Sequence, residues 1–120
     1  MAFKMKGIRF ESSENFHVDK SNIDGIGAIA SGNIKKGQLI GTAVTDESKA
    51  RADDGIQFDT RTRLGKMLNH HDSENAIQKS ENNILNVYAK KNIKEGNEIT
   101  INYLDAPDYI DKQQVAGYKK

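Results

Sequence analysis

The stretch NIKKGQLI at residues 33–40 decides the fold, because it returns almost unchanged as NIKEGNEI at residues 92–99. We call the two copies the first and second turn motifs. In each, two residues suited to a type I turn precede a glycine, Gly37 or Gly96, which supplies the left-handed backbone of a bulged hairpin. Each motif therefore predicts a strand, a tight turn and a strand. The repetition favours a two-fold β architecture over a coincidence between two ordinary hairpins.

Length and composition indicate a small, polar, single domain. The chain has 120 residues, of which 36% are hydrophobic, and its mean hydropathy is −0.74. A domain of this size buries a real core, although its stability is modest. Positive and negative side chains almost balance, at a net charge of +1. Because a dedicated nucleic-acid surface would show a strong basic excess, we expect none.

Cysteine usage and the N-terminal residues restrict the class of protein further. The sequence contains no cysteine, so it predicts neither a disulfide framework nor a thiolate zinc site. Lys4, Lys6 and Arg9 interrupt the apolar residues that follow Met1, and no apolar run is long enough to span a membrane. We therefore expect a soluble intracellular protein with no membrane partner.

Short apolar runs between turn residues predict strands rather than long helices. "NVYAKK" and "ITINY" contain the β-branched and aromatic residues that suit strands. Residues 45–54 predict a loop or a short helix, residues 62–68 one helical turn, and residues 72–83 a polar loop. The C-terminal "APDYIDKQQVAGYKK" predicts a short helix or a mobile tail. The predicted strands are 7–10, 16–19, 27–31, 38–44, 85–90 and 98–103.

Three segments carry residues that can do chemistry. Gly25-Ile26-Gly27 precedes a predicted strand, and its glycines would let a ligand approach the backbone, although a simple turn is the alternative. Asn69-His70 opens a polar cluster after an apolar pair, where a solvated loop is the alternative. "EITINY" ends at Tyr103, whose ring and hydroxyl could equally be structural.

The cluster of His70, His71 and Asp72 has the side chains of a metal site but not the spacing. Adjacent residues point in different directions, and no pair of histidines three or four positions apart is present. We therefore expect no metal site.

Taken in order, the three segments resemble the SET domain family of lysine methyltransferases. Members typically show a Gly-x-Gly, then RFINHSCxPN, and then A-x-x-x-I-x-x-G-E-E-L-T-x-D-Y. RLGKMLNH is also similar to the corresponding string of SET enzymes that act on histones. The resemblance spans about residues 25–103. In KMLNHHDSEN and AKKNIKEGNEITINY, the matching residues are Asn69, His70, Asn75, Ala89, Ile93, Gly96, Glu98, Thr100 and Tyr103.

The resemblance implies a fold and a domain organisation. SET domains are mostly β, with a β-clip of small sheets, few short helices and a C-terminal segment in a knot-like arrangement. They carry this turn motif in both halves. The chain would then be a single SET-like domain over residues 1–120, with a short C-terminal tail at residues 104–120. This compact form is similar to small viral SET proteins.

The resemblance also implies an activity, methyl transfer from S-adenosylmethionine to a lysine of a protein substrate such as a histone. Tyr103 would be the catalytic residue, and Tyr88 and Tyr109 would wall the lysine channel, although core packing or a surface role is the alternative for both. The residues implied to bind the cofactor are Gly25, Ile26, Gly27, Asn69 and His70.

Several positions depart from the family pattern and leave alternatives open. His71 replaces the usual serine, Glu74 the usual proline, Ile26 the aromatic residue of some members, and Asn102 the common Asp or Ser. An inactive SET fold is therefore one alternative, and a non-enzymatic β-clip binding module of the SAF type is another. The span between residues 41 and 68 is short, so a homodimer that completes the substrate groove is also expected.

Overall fold

The computed structural model describes residues 15–51, 59–105 and 107. Short strands dominate, and the predicted mostly β class with few short helices is confirmed. The strands are β1 (Phe16–Lys20), β2 (Ile26–Ala30), β3 (Leu39–Val44), β4 (Asn69–His70), β5 (Ala76–Glu81), β6 (Ile84–Ala89) and β7 (Thr100–Ile101). The helices are α1 (Glu47–Ala50), α2 (Arg63–Met67) and a single 3-10 turn (Tyr103–Asp105).

Three small sheets make up the β-clip. β1 and β2 form an antiparallel pair, β3, β6 and β5 form an antiparallel sheet in that order, and β4 lies parallel to β7. Alternation along β6 explains how the central strand faces the core, since Leu85, Val87 and Ala89 are buried between partly exposed neighbours. None of the helices in the described residues has the length and apolar character needed to span a membrane.

The two turn motifs pair with each other instead of forming two hairpins, so the hairpin prediction is wrong. β2 and β3 flank the first motif, yet β2 pairs with β1 and β3 pairs with β6. Ile34 and Ile93 form an antiparallel bridge with two main-chain hydrogen bonds of 2.8 Å, and both side chains are 2% exposed. Pairing the motifs buries both isoleucines at once, which separate hairpins would not do.

The contacts between the motifs repeat in both directions, which confirms the two-fold relation. The amide of Gly37 donates to Ala89 O at 2.9 Å, and the amide of Gly96 donates to Ala30 O at 2.8 Å. Both glycines have the predicted left-handed backbone, with φ of 88° and 89°. Asparagine side chains seal the turns, because Asn92 Oδ1 accepts from the amide of residue 36 and Asn33 Oδ1 from that of residue 95. We call the two turn motifs, residues 33–40 and 92–99 joined in this way, the interlocked turns.

Other strand and helix predictions had mixed outcomes. The strands predicted at 16–19, 27–31, 38–44 and 85–90 and the helical turn at 62–68 are confirmed to within two residues, and α1 lies inside residues 45–54. The strand predicted at 98–103 shortens to β7. The polar loop predicted at 72–83 is wrong, because it contains β5 and a tight turn with left-handed Asn82 and Asn83. The strand predicted at 7–10 and most of the C-terminal tail, with its knot-like passage, lie outside the described residues.

α2 holds the chain in position before β4. Thr62 caps the helix, since its Oγ1 accepts from the amide of Gly65 at 3.0 Å and donates to Thr42 O at 2.6 Å. Leu64 is 1% exposed and anchors the helix in the core. Gly65 lies so close to β3 that a Cβ would stand 2.2 Å from the carbonyl oxygen of Ala43. α2 therefore delivers the chain to β4 at a fixed place against β3.

Candidate active site

Asn69 on β4 is the centre of a buried polar cluster. Its side chain is almost fully enclosed, with 8% of the residue exposed. Nδ2 faces four acceptors, of which Oε2 of Glu98 is nearest at 2.8 Å. Ser21 Oγ lies at 3.1 Å, and the carbonyl oxygens of Asp24 and Ile26 both lie at 3.2 Å. Since all four neighbours are acceptors, they fix Nδ2 toward the glycine loop.

The other end of the same amide has no such neighbours. Within the described residues, Oδ1 of Asn69 accepts no hydrogen bond. A buried acceptor without a donor costs free energy, roughly 1–3 kcal/mol, unless a ligand supplies the donor. This oxygen is therefore a candidate contact for a bound group that carries N–H.

Ser21 organises the loop that contains Gly25. Its Oγ donates to Oε1 of Glu98 at 2.7 Å and accepts from the amides of Ile23 and Asp24 at 2.8 and 3.1 Å. Its own amide donates to the carbonyl of Gly25 at 2.9 Å. Gly25 has φ of 53°, a left-handed conformation that glycine adopts without strain. The loop is therefore shaped before any ligand arrives.

At Gly27 a carboxylate occupies the space that a side chain would take. A Cβ there would stand 2.3 Å from Oε2 of Glu98 and 3.0 Å from Nδ2 of Asn69. Ile26, between the two glycines, is 53% exposed and lies at the outer edge of the loop. The side chain of Ile26 thus lies outside the buried cluster, whereas its carbonyl oxygen and the Cα of Gly27 border the amide of Asn69.

Tyr103 is held at both its main chain and its hydroxyl. Its amide donates to Nδ1 of His70 at 3.0 Å, and its hydroxyl donates to the carbonyl of Leu68 at 2.8 Å. The two rings are 5.2 Å apart at a tilt of 48°. Because Nδ1 of His70 accepts, the neutral ring carries its proton on Nε2, which donates to Asp72 at 2.9 Å. The imidazole of His70 thus positions Tyr103, a contact that the resemblance did not imply.

Burial and nearby negative charge keep the Tyr103 phenol protonated. Desolvation raises its pKa to about 12, and the charges of Asp24 and Glu98 act in the same direction. The phenol is therefore neutral at physiological pH and acts through hydrogen bonds. The same two carboxylates make the surroundings of Asn69 and Tyr103 attractive to a cation.

Asn75 fastens the strand that leads to Tyr103. Its Oδ1 accepts from the amide of Thr100 at 2.8 Å, and its Nδ2 donates to the carbonyl of Glu98 at 2.8 Å. The neighbouring Glu74, at the usual proline position, binds Lys90 at 3.0 Å, and this bond lowers the pKa of its carboxyl. Both side chains make structural contacts in this chain.

His71, at the usual serine position, lies at the surface. It is exposed, and its Nδ1 accepts from the amide of Ser73 at 2.9 Å. Its own amide continues the ladder with a 3.0 Å bond to Ile101 O. Within the described residues, no three metal-ligating side chains lie close enough together to hold a metal ion. His70, His71 and Asp72 are among these residues and do not form such a group.

Of the two proposed channel tyrosines, the structure describes Tyr88, whose contacts lie outside the buried cluster. The hydroxyl of Tyr88 donates to Glu81 at 2.6 Å, and Lys79 lies 5.1 Å from its ring, so its observed contacts belong to the three-stranded sheet. Tyr109 lies outside the described residues. A separate cleft of about 230 Å³ is lined by Ala76, Ile77, Gln78, Ile101, Asn102 and Asp105.

Sequence reasoning placed Gly27, Asn69, His70 and Tyr103 together but missed Ser21, Asp24 and the role of Glu98. Glu98 was recognised as a residue that matches the family motif. The residues around it in the sequence did not indicate that its carboxylate would reach Asn69 on β4. The two loop residues had no recognisable pattern. The second turn motif reaches the glycine loop because Glu98 bridges Ile29 of β2 and because β7 pairs with β4.

Comparisons with known proteins agree with this arrangement. The SET domain family model matches residues 25–104, which is two thirds of the chain. A search of curated proteins found no match. Among solved structures, a similar one is the crystal structure of a Plasmodium falciparum protein described as "putative histone methyltransferase PFL0690c". It is 22% identical, covers 76% of this chain and 94% of its own, and has a TM-score of 0.58.

Proposed function

The chain belongs to the SET domain family, and we propose that it transfers a methyl group from S-adenosylmethionine to a lysine side chain of a protein substrate. Histones are the first substrates to test, given the description of the similar Plasmodium protein. The observation that carries the proposal is the buried amide of Asn69, whose Nδ2 is saturated while its Oδ1 has no donor in the described residues.

The residues present fit the cofactor's chemistry. When bound, S-adenosylmethionine supplies a methyl group on a positively charged sulfonium and carries a protonated amino group. Oδ1 of Asn69 would accept from that amino group, which would supply its missing donor. The carboxylates of Asp24 and Glu98 complement the positive charge, and Gly27 allows the ligand to approach the main chain. Gly25, Ile26 and His70 are proposed to complete the site through the loop and β4.

Tyr103 would act on the incoming lysine as a neutral hydrogen-bonding group. Its proton is engaged with the carbonyl of Leu68 and a main-chain hydrogen bond from His70 also acts on its oxygen, so the remaining lone pair of that oxygen would accept an amine N–H. A lysine amine must lose its proton before it attacks, and burial near a positive charge lowers its pKa. Because the phenol pKa is about 12, Tyr103 does not serve as the base at neutral pH. It orients the amine, and orientation supplies much of the acceleration.

Calorimetric titration with S-adenosylmethionine tests the cofactor assignment. We expect Asn69→Ala to lower the affinity by about 1–3 kcal/mol, or roughly five- to 150-fold. Asn86→Ala is the control, since Asn86 is a half-buried, hydrogen-bonded asparagine that lies on the three-stranded sheet. Wild-type protein that does not bind at millimolar cofactor, or equal affinity of both variants, would contradict the assignment.

Transfer of radiolabelled methyl to mixed histones and then to whole lysate tests the activity. If labelled methyl appears on protein lysine with the wild type but not with a Tyr103 variant, the result supports the proposed methyltransferase activity. Cofactor binding without any transfer to either substrate would instead support the inactive SET fold, and absence of both would support a non-enzymatic binding module.

A further inference from the structure

The hydroxyl of Ser21 joins segments that are distant in the sequence. Ser21 is partly buried and lies in the turn between β1 and β2. Its Oγ is 2.7 Å from Oε1 of Glu98, which is 77 positions away in the second of the interlocked turns. The same oxygen is 3.1 Å from Nδ2 of Asn69 on β4. Ser21 is not among the residues proposed to contact the cofactor, so these bonds need another explanation.

The hydrogen bonds of Ser21 run in one direction. The amides of Ile23 and Asp24 donate to its oxygen at 2.8 and 3.1 Å, and its own proton goes to Oε1 of Glu98. A serine hydroxyl has a single proton and otherwise only accepts. Because Glu98 takes that proton, Ser21 faces Nδ2 of Asn69 as an acceptor.

This direction decides which end of the Asn69 amide faces the glycine loop. Of the four groups around Nδ2, the carbonyl oxygens of Asp24 and Ile26 and the carboxylate of Glu98 only accept. The hydroxyl of Ser21 is the one that could donate instead, to an inverted amide in which Oδ1 and Nδ2 had exchanged places. Its bond to Glu98 removes that option. Oδ1 of Asn69 therefore stays on the other side of the amide, where the proposed ligand would meet it.

The same serine also holds the carboxylate that binds Asn69. Oε1 of Glu98 accepts from Ser21, and Oε2 accepts from Asn69 at 2.8 Å, so each oxygen has a donor. Within the part of the chain that the structure describes, no second group donates to Oε1. Loss of the hydroxyl would leave the carboxylate held at one oxygen and able to rotate about its terminal bond.

We propose that Ser21 is a positioning residue, whose hydroxyl holds Glu98 and thereby orients the amide of Asn69 for the cofactor. This inference rests on the proposed function, because it assigns Ser21 to the same site. The main-chain amide of Ser21 donates to the carbonyl of Gly25 at 2.9 Å without involving the hydroxyl. Ser21→Ala therefore removes the hydroxyl and keeps this bond of the loop.

The side-chain amide of Asn69 reports the positioning in the protein without cofactor. Its two Nδ2 protons give a pair of NMR signals, which Asn69→Ala identifies by their loss. In Ser21→Ala we expect these signals to shift and to exchange with solvent faster, because one acceptor is gone and Glu98 is no longer fixed. Ser80→Ala is the matched control, since Ser80 also donates to a glutamate, Glu47, at 2.7 Å but lies on β5. Unchanged Asn69 signals in Ser21→Ala would overturn the proposal.

Calorimetric titration with S-adenosylmethionine shows whether the positioning matters for binding. We expect Ser21→Ala to bind about tenfold more weakly, the lower end of what a hydrogen bond to a charged group contributes. Ser80→Ala should bind as the wild type does, and Ser21→Thr, which keeps a hydroxyl, should recover most of the loss. Thermal unfolding checks that each variant is folded. Equal affinity of folded Ser21→Ala and the wild type would refute the role of Ser21.

A double-mutant cycle shows whether Ser21 acts through Asn69. In an Asn69→Ala background the amide is gone, so Ser21→Ala should weaken cofactor binding by less than about twofold further. A further loss as large as that in the wild-type background would mean that Ser21 acts by another route, which overturns the proposal. Failure of the proposed function gives a different result. The wild type would then not bind S-adenosylmethionine, while the Asn69 signals would still respond to Ser21→Ala.

Discussion

Replacing Gly27 by alanine tests whether Glu98 holds the amide of Asn69 in place. A Cβ at this position would stand 2.3 Å from Oε2 of Glu98, and real Cβ contacts are essentially never closer than 3.0 Å. The carboxylate must therefore move by about 0.7 Å. Its bond from Nδ2 of Asn69 is 2.8 Å long. A shift of that size stretches the bond toward about 3.5 Å, where it is largely lost.

The expected magnitude follows from the charge on the acceptor. A hydrogen bond to a charged group contributes about 1.5–3 kcal/mol. If the orientation of Asn69 determines cofactor affinity, Gly27→Ala should weaken binding by roughly ten- to a hundredfold. Gly32→Ala is the matched control, because a Cβ at position 32 meets nothing within 4 Å.

A double-mutant cycle measured by calorimetry identifies the cause. In a Glu98→Ala background the carboxylate is gone, so the added methyl of Gly27→Ala has space and should cost little further affinity. We expect a coupling free energy of at least about 1 kcal/mol between the two substitutions. Strictly additive losses would refute the reasoning, since they would mean that the methyl acts directly on the ligand and not through Glu98.

Four further outcomes are expected. Tyr103→Phe should lower single-turnover methyl transfer by roughly ten- to a thousandfold with cofactor affinity unchanged, and near-normal turnover would make Tyr103 a packing residue. Because burial raises the pKa of Tyr103 from 10.0 to about 12, the contribution of this residue to the free energy of unfolding should be constant below pH 10 and fall by up to about 2.7 kcal/mol toward pH 12. Chemical denaturation should show a larger fall in the wild type than in Tyr103→Phe, which retains only the fall that comes from other groups such as Tyr88, whose pKa is raised by its hydrogen bond to Glu81. Gly65→Ala should lower the free energy of unfolding by about 1–3 kcal/mol because its Cβ meets main-chain atoms of β3. Light scattering tests the predicted homodimer, and a fully active monomer would exclude it.

The turn motifs show which structural features can be predicted from a few neighbouring residues and which cannot. Gly37 and Gly96 were assigned left-handed backbone correctly, because that requirement depends on a few neighbouring residues. The partner of each motif was wrong, because the pattern of a tight turn does not say whether its flanking strands pair with each other. The bridge between Ile34 and Ile93 joins residues far apart in the sequence, and only the shared burial of both side chains selects it.

β5 was missed for a different physical reason. It is an edge strand of the three-stranded sheet, and its last three residues are exposed, so its sequence is as polar as a loop. The turn after it did carry a signal. Asn82 and Asn83 both adopt positive φ, which asparagine tolerates better than most residues. A pair of asparagines between two short runs is compatible with a two-residue hairpin as well as with the polar loop that we predicted.

The adjacency of Asn69 and His70 has a simple structural explanation. Successive residues of a strand point to opposite faces, and β4 consists of only these two residues. The amide of Asn69 therefore reaches the glycine loop and Glu98, while the imidazole of His70 reaches the main chain of Tyr103. One short strand, fixed by its parallel pairing with β7, thus sets the relative position of the proposed cofactor contact and the proposed catalytic tyrosine. Inserting a residue between Asn69 and His70 would reverse one of the two side chains, so the pair must be contiguous for both contacts to form.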